Sequence, residues 1–117
     1  MDLYREEILE YYKNPVNKGQ MKDPDITIHE TNASCGDQIT LYLKFDKTDT
    51  LTDFKFDGHG CAISVATTSM LSEYLIGKTK QEIKQINLET INKLIGGPVN
   101  TGRIKCASLG LRALEQL

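Results

Sequence analysis

The sequence predicts an α+β fold: a small three-stranded antiparallel sheet with helices packed on one face. Three observations carry that prediction. Alternation of period two runs through residues 26–57, spacing of about 3.6 marks the segments on either side, and the strands precede most of the helices. At 117 residues, with 39% hydrophobic and 26% charged side chains, the chain suits one domain, 1–117, built around one core.

The elements follow in order. Leu3, Tyr4, Ile8, Tyr11 and Tyr12 fall largely on one face of a first helix, and Asn14-Pro15 stops it because the residue before proline avoids the helical region. Val16 to Asp25 reads as a surface loop or docking arm. Ile26 and Ile28 alternate with Thr27 and His29, then Ile39, Leu41, Leu43 and Phe45 with Thr40, Tyr42, Lys44 and Asp46. Turn formers at 46–50 lead by a short hairpin into a third strand around Phe54 and Phe56. After Gly58-His59-Gly60 the period changes, and Ile63, Ala66, Met70, Leu71, Tyr74 and Leu75 form the stripe of the main helix, ended by Gly77. Thr79 and Glu82 are spaced as a capping box. Leu88 to Ile95 makes a further short helix closed by Gly96-Gly97-Pro98, and Leu109, Ala113, Leu114 and Leu117 line one side of a last helix from about Lys105.

Bulk properties exclude several function classes. A net charge of -2 and few aromatics give neither a phosphate-binding face nor a stacking platform, so nucleic acid is not expected as a ligand. The chain holds no apolar run long enough for a bilayer, and MDLYREEILE has neither the basic start nor the apolar core of a secretion signal. A cytoplasmic protein with reduced thiols is expected, since three cysteines cannot pair evenly.

Those cysteines, Cys35, Cys61 and Cys106, each stand at an expected element boundary. Cys61 and Cys106 fall where helices begin, and the positive end of the peptide dipoles there favours a thiolate. Asp37, two residues from Cys35, projects to the same side in an extended segment and offers a harder oxygen that exchanges more readily on a thiophilic metal. Lys105 can steady a thiolate or pair with Asp37, but cannot ligate while protonated. His59 reads as a loop side chain, and His29 as a solvent-facing strand residue. No CxxC pair is present, and the cysteine spacings of 26 and 45 residues match no zinc finger.

The runs LYREEILEYYKNPVNKG (3–19), ASCGDQITLYLK (33–44), FDGHGCAISVATTSMLSEYLIGK (56–78) and RIKCASLGLRAL (103–114) closely resemble the IscU/SufU family, related to the N-terminal domain of NifU. The resemblance covers nearly the whole chain and implies an IscU/SufE-like fold. It implies a scaffold that accepts sulfur from a cysteine desulfurase, builds a [2Fe-2S] cluster and passes it to apo iron-sulfur proteins. By the same resemblance the ligands fall on Cys35, Asp37, Cys61 and Cys106, with Cys106 receiving the persulfide. In zinc-dependent sulfurtransferase members, which hold Zn2+ in this site, a ligand swap frees the equivalent of Cys35 as the acceptor.

Two departures from the family pattern pull in opposite directions. Lys105 replaces the histidine that scaffold members usually carry before the third cysteine, and Arg-Ile-Lys-Cys is similar to the SufU branch. Yet the insertion typical of that branch before the third cysteine is missing. Gly97-Pro98-Val99-Asn100 is only a remnant of the motif offered to a dedicated Hsp70 chaperone, so that partner is not expected. The scaffold function is the first expectation, and a SufU-type zinc-dependent sulfurtransferase the alternative.

Overall fold

A computed structural model describes residues 3–32, 36–98 and 101–117. Its central strand, β2 (Asp37–Phe45), lies between β1 (Ile26–Asn32) and β3 (Leu51–His59) in an antiparallel sheet of order β1-β2-β3. Side chains of β2 alternate as a pleated strand requires: Asp37, Ile39, Leu41 and Leu43 are buried, and the residues between them are not. Period two therefore carries a carboxylate onto the core side, at the head of an apolar row. Ile28 of β1 and Leu51, Phe54 and Phe56 of β3 complete the sheet's share of the core. The expected α+β class is borne out.

β1 and β3 both run further than the alternation of apolar residues suggests. Gly58 and His59, expected as a loop, are the last residues of β3 and stand opposite Ile39 and Gln38. In the hairpin between β2 and β3, the Asp46 carboxylate accepts from the Thr48 hydroxyl at 2.7 Å and from the Thr48 and Thr50 amides at 2.8 and 3.0 Å. Those bonds, the Thr48 hydroxyl foremost, hold its carboxyl below the ordinary value.

Residues 16–25 are not a free arm throughout. The Phe56 amide donates to the Asn17 carbonyl at 3.0 Å, and the Gly19 amide to the Phe56 carbonyl at 2.7 Å. This short stitch covers part of the outer edge of β3, which would otherwise expose unpaired backbone groups. It follows helix α1 (Leu3–Lys13), which packs on the main helix, α2 (Ala62–Leu75).

The single stripe expected for α2 proves too narrow. Every residue from Ser64 to Ser72 is buried, because α1, β3 and the later helices surround it. Hydroxyls tolerate this by bonding back to the helix, Thr67 to the Ile63 carbonyl and Thr68 to the Ser64 carbonyl, each at 2.8 Å. Tyr74, placed in the stripe by its spacing, is 43% exposed. Beyond α2 come α3 (Lys80–Ile83), with the expected Thr79–Glu82 capping box, and α4 (Leu88–Ile95), with a second box from Asn87 and Thr90.

The last helix is divided in two: α5 (Ile104–Ala107) and α6 (Leu109–Leu114). At the junction the Ser108 hydroxyl donates to the Ile104 carbonyl at 2.6 Å, and its backbone leaves helical geometry at φ -98 and ψ 8. Gly110 lets α6 approach α2 closely, since a Cβ there would lie 3.0 Å from the Thr68 hydroxyl oxygen. Among the described residues, no helix is long and apolar enough to cross a membrane.

Candidate metal centre

One end of the molecule gathers Asp37, Cys61 and Cys106, with one potential ligand atom from each inside a mutual distance of 4.8 Å. The carboxylate comes from the start of β2 and is 5% exposed, while both cysteines are half-buried. Cys61 is the residue that caps α2, with φ -70 and ψ 167 and no side-chain capping bond. Its sulfur therefore lies at the N-terminal end of a 14-residue helix, beside that helix's unpaired amides.

Cys106 differs from its expected setting. It is the third residue of the four-residue α5, cut off from α6 at Ser108, so the dipole of a long helix is not available to it. Its place in the group comes instead from the packing of α5 against α2. Cys35 lies outside the described residues, as do Val99 and Asn100. Of the described residues on either side of Cys35, Asn32 pairs with Asp37, and the Gly36 amide donates to the Asn32 carbonyl at 2.8 Å.

Lys105 and His59 are exposed, and neither belongs to the ligand group. His29 is also exposed, with its Nδ1 3.0 Å from the Thr40 hydroxyl across the sheet, as expected for a solvent-facing strand residue. The glycines around the centre have separate reasons. Gly58 has φ +127, and a Cβ there would sit 2.3 Å from the Gln38 carbonyl oxygen. At Gly60 a Cβ would crowd the Asp37 Cγ at 3.0 Å and the Ser64 Cβ at 3.2 Å.

Ser64 is the residue that sequence reasoning missed. It is 2% exposed, and its hydroxyl donates to Asp37 Oδ2 at 2.6 Å. The same oxygen lies 3.2 Å from the Cys106 carbonyl and 3.5 Å from the Cys61 sulfur. The available signal was its position three residues after Cys61, the spacing at which a side chain reaches back to a helix cap.

The donor set fits a thiophilic metal. A tetrahedral zinc about 2.3 Å from each sulfur would hold the two sulfurs about 3.8 Å apart, and the three ligand atoms already lie within 4.8 Å of one another. Two sulfurs and one carboxylate oxygen leave a tetrahedral position for a further ligand.

Comparison with known proteins agrees with this arrangement. The family described as NifU-like N terminal domain matches residues 3–117. The chain is 38% identical to the zinc-dependent sulfurtransferase SufU of Bacillus subtilis (strain 168), across 97% of this chain and 88% of that protein. It is 32% identical to the iron-sulfur cluster assembly scaffold protein IscU 1 of Archaeoglobus fulgidus, across 97% of this chain and 73% of that protein. The first alignment needs 131 positions and the second 114 for the same share of this chain, so the Bacillus alignment requires more gaps. A crystal structure of a candidate SUF-system scaffold protein from Fervidobacterium islandicum AW-1 superimposes with a TM-score of 0.77 at 35% identity, covering 95% of this chain and 93% of that one. The resemblance read from the residue runs is borne out.

Proposed function

The chain belongs to the NifU-like N-terminal domain family, and we propose that it is an iron-sulfur cluster assembly scaffold whose cargo is built at Asp37, Cys61, Cys106 and Cys35. The observation that supports this most is the convergence of three donor side chains from a strand, a helix cap and a separate helical turn within 4.8 Å. Sulfur enters from a cysteine desulfurase. The Cys106 thiolate attacks the outer sulfur of the desulfurase persulfide; a new persulfide forms on Cys106 and the desulfurase cysteine leaves as thiolate. Asp37 contributes an oxygen ligand, which on iron exchanges more readily than sulfur and suits a cluster meant to move on to apo iron-sulfur proteins.

The test is anaerobic reconstitution with a desulfurase, cysteine, ferrous iron and a dithiol. Reducing two persulfide sulfurs to sulfide takes four electrons, two from oxidation of the two ferrous ions to ferric and two from oxidation of the dithiol to a disulfide. A [2Fe-2S] absorption spectrum, transferable to an apo-ferredoxin, is the expected result. Failure to form or transfer a cluster rejects the reading. Cys106→Ser should abolish persulfide uptake while the circular dichroism stays that of the native fold, and persulfide persisting on this variant would move the acceptor role to Cys35 or Cys61.

A second reading is a SufU-type, zinc-dependent sulfurtransferase with Cys35 as acceptor. It is favoured by the 38% identity to the Bacillus protein and by the exposed Lys105 beside Cys106. Zn2+ would keep its cysteine ligands as thiolates at neutral pH. Lys105, when protonated, would offer Asp37 a counter-charge during a ligand swap. Zinc-loaded protein should then accelerate desulfurase turnover, and turnover unaffected by it would discard this reading.

A further inference from the structure

A metal centre assembled from separate elements needs something to hold the elements in register, and the candidate is already in its midst. Ser64 sits on the first turn of α2, the helix buried through Ser72, and so cannot swing away without disturbing the core. Its oxygen touches something from each ligand-bearing element: the carboxylate of β2, the capping sulfur of α2 and the backbone of α5.

A hydroxyl has one proton and several acceptors compete for it. The carboxylate at 2.6 Å outcompetes the Cys106 carbonyl at 3.2 Å, because a bond to a charged acceptor is both shorter and stronger. At 3.5 Å, the Cys61 sulfur is within range to donate its thiol hydrogen to the same hydroxyl oxygen. Gly60 lies against the same carboxylate oxygen, since an added Cβ there would stand 3.0 Å from the Asp37 Cγ, 3.2 Å from its Oδ2 and 3.2 Å from the Ser64 Cβ.

We propose that Ser64 is a positioning residue of the metal centre: by engaging Oδ2 it fixes the orientation in which the Asp37 carboxylate meets the metal. The inference rests on Asp37, Cys61 and Cys106 being metal ligands, as under the proposed function. Partners that orient a ligating carboxylate are worth about 10- to 100-fold in metal affinity.

The test is titration with Co2+, read from its sulfur-to-metal charge-transfer and d–d absorption. Ser64→Ala should lose about tenfold or more in Co2+ affinity, with altered d–d bands and unchanged far-ultraviolet circular dichroism. In an Asp37→Ala background the same substitution should cost nothing further, since the group it positions is gone. A merely structural serine would lower affinity equally in both backgrounds, and that result, or wild-type affinity in Ser64→Ala, overturns the inference. Should Ser64→Ala fail to fold, Ser64→Thr takes its place. Thr keeps the hydroxyl and should bind within a few-fold of wild type, whereas a folded Thr variant weaker by tenfold or more overturns the inference too. Wild-type protein that takes up no Co2+ would instead sink the reading of the metal centre.

Discussion

The two halves of α2 use the same residue type for opposite ends. Toward the N-terminus, the Ser64 hydroxyl meets a carboxylate and a sulfur, side chains that can change partners. Toward the C-terminus, the Ser69 hydroxyl accepts from the Val16 amide at 2.6 Å and donates to the Val16 carbonyl at 3.0 Å, while the Ser72 hydroxyl accepts from the Asn17 side chain at 3.0 Å. One half is a centre built around side chains, the other a clamp that mainly grips the backbone leaving α1. A buried serine closed on backbone ties segments of the fold together, whereas Ser64 is closed on side chains of the candidate metal centre.

The largest effect should come from the backbone that supports the first half. Gly58 approaches the carbonyl of Gln38, the neighbour of Asp37, and has φ +127, where side chains are strained. Gly58→Ala should destabilise the protein by on the order of 3 kcal/mol in urea unfolding, and weaken Co2+ binding with it. Gly36, with φ +75 and nothing among the described residues within 4 Å of an added Cβ, isolates conformational strain from crowding. Gly36→Ala should cost only about 1–2 kcal/mol. Equal losses at both positions would show that the close approach to Gln38 adds nothing.

Ser69→Ala comes next and separates the two halves. It removes both bonds to Val16, with an expected loss of about 2 kcal/mol in unfolding free energy. Co2+ affinity should remain that of wild type. Ser64→Ala should do the reverse, mainly weakening metal. If Ser69→Ala weakens Co2+ binding as much as Ser64→Ala does, the two halves are coupled and the division fails.

Much of this contrast could be read in the sequence, and the remainder could not for definable reasons. The burial of Asp37 follows from its parity with Ile39, Leu41 and Leu43, and the place of Cys61 from the change of period after Gly60. The burial of α2 on every side from Ser64 to Ser72 was hidden, because a stripe of apolar residues reports one face and says nothing of hydroxyls satisfied by their own helix. The division at Ser108 depends on one side chain taking the Ile104 carbonyl, a choice that serine leaves open in any helix. The stitch of residues 17–19 to Phe56 joins segments distant in sequence and leaves no local mark. Ser64 left only a faint one, a polar residue three positions after a capping cysteine.

The smallest effect belongs to the far end of the clamp, where the Tyr11 hydroxyl of α1 donates to Glu73 Oε1 of α2 at 2.6 Å. That hydrogen bond foremost, then burial and the charges of Glu73 and Glu7, raises the phenol from 10.0 to about 12. The fold thus favours the protonated phenol. Its contribution is fully present below the unfolded value near 10 and is lost as pH rises through about 12. Tyr11→Phe should cost about 0.5 kcal/mol or less at neutral pH, because the pair faces solvent. The stability difference between wild type and this variant should fade between pH 10 and 12, with Co2+ affinity unchanged at neutral pH. A difference that persists undiminished above that range would mean that the phenol proton is not what ties α1 to the clamp.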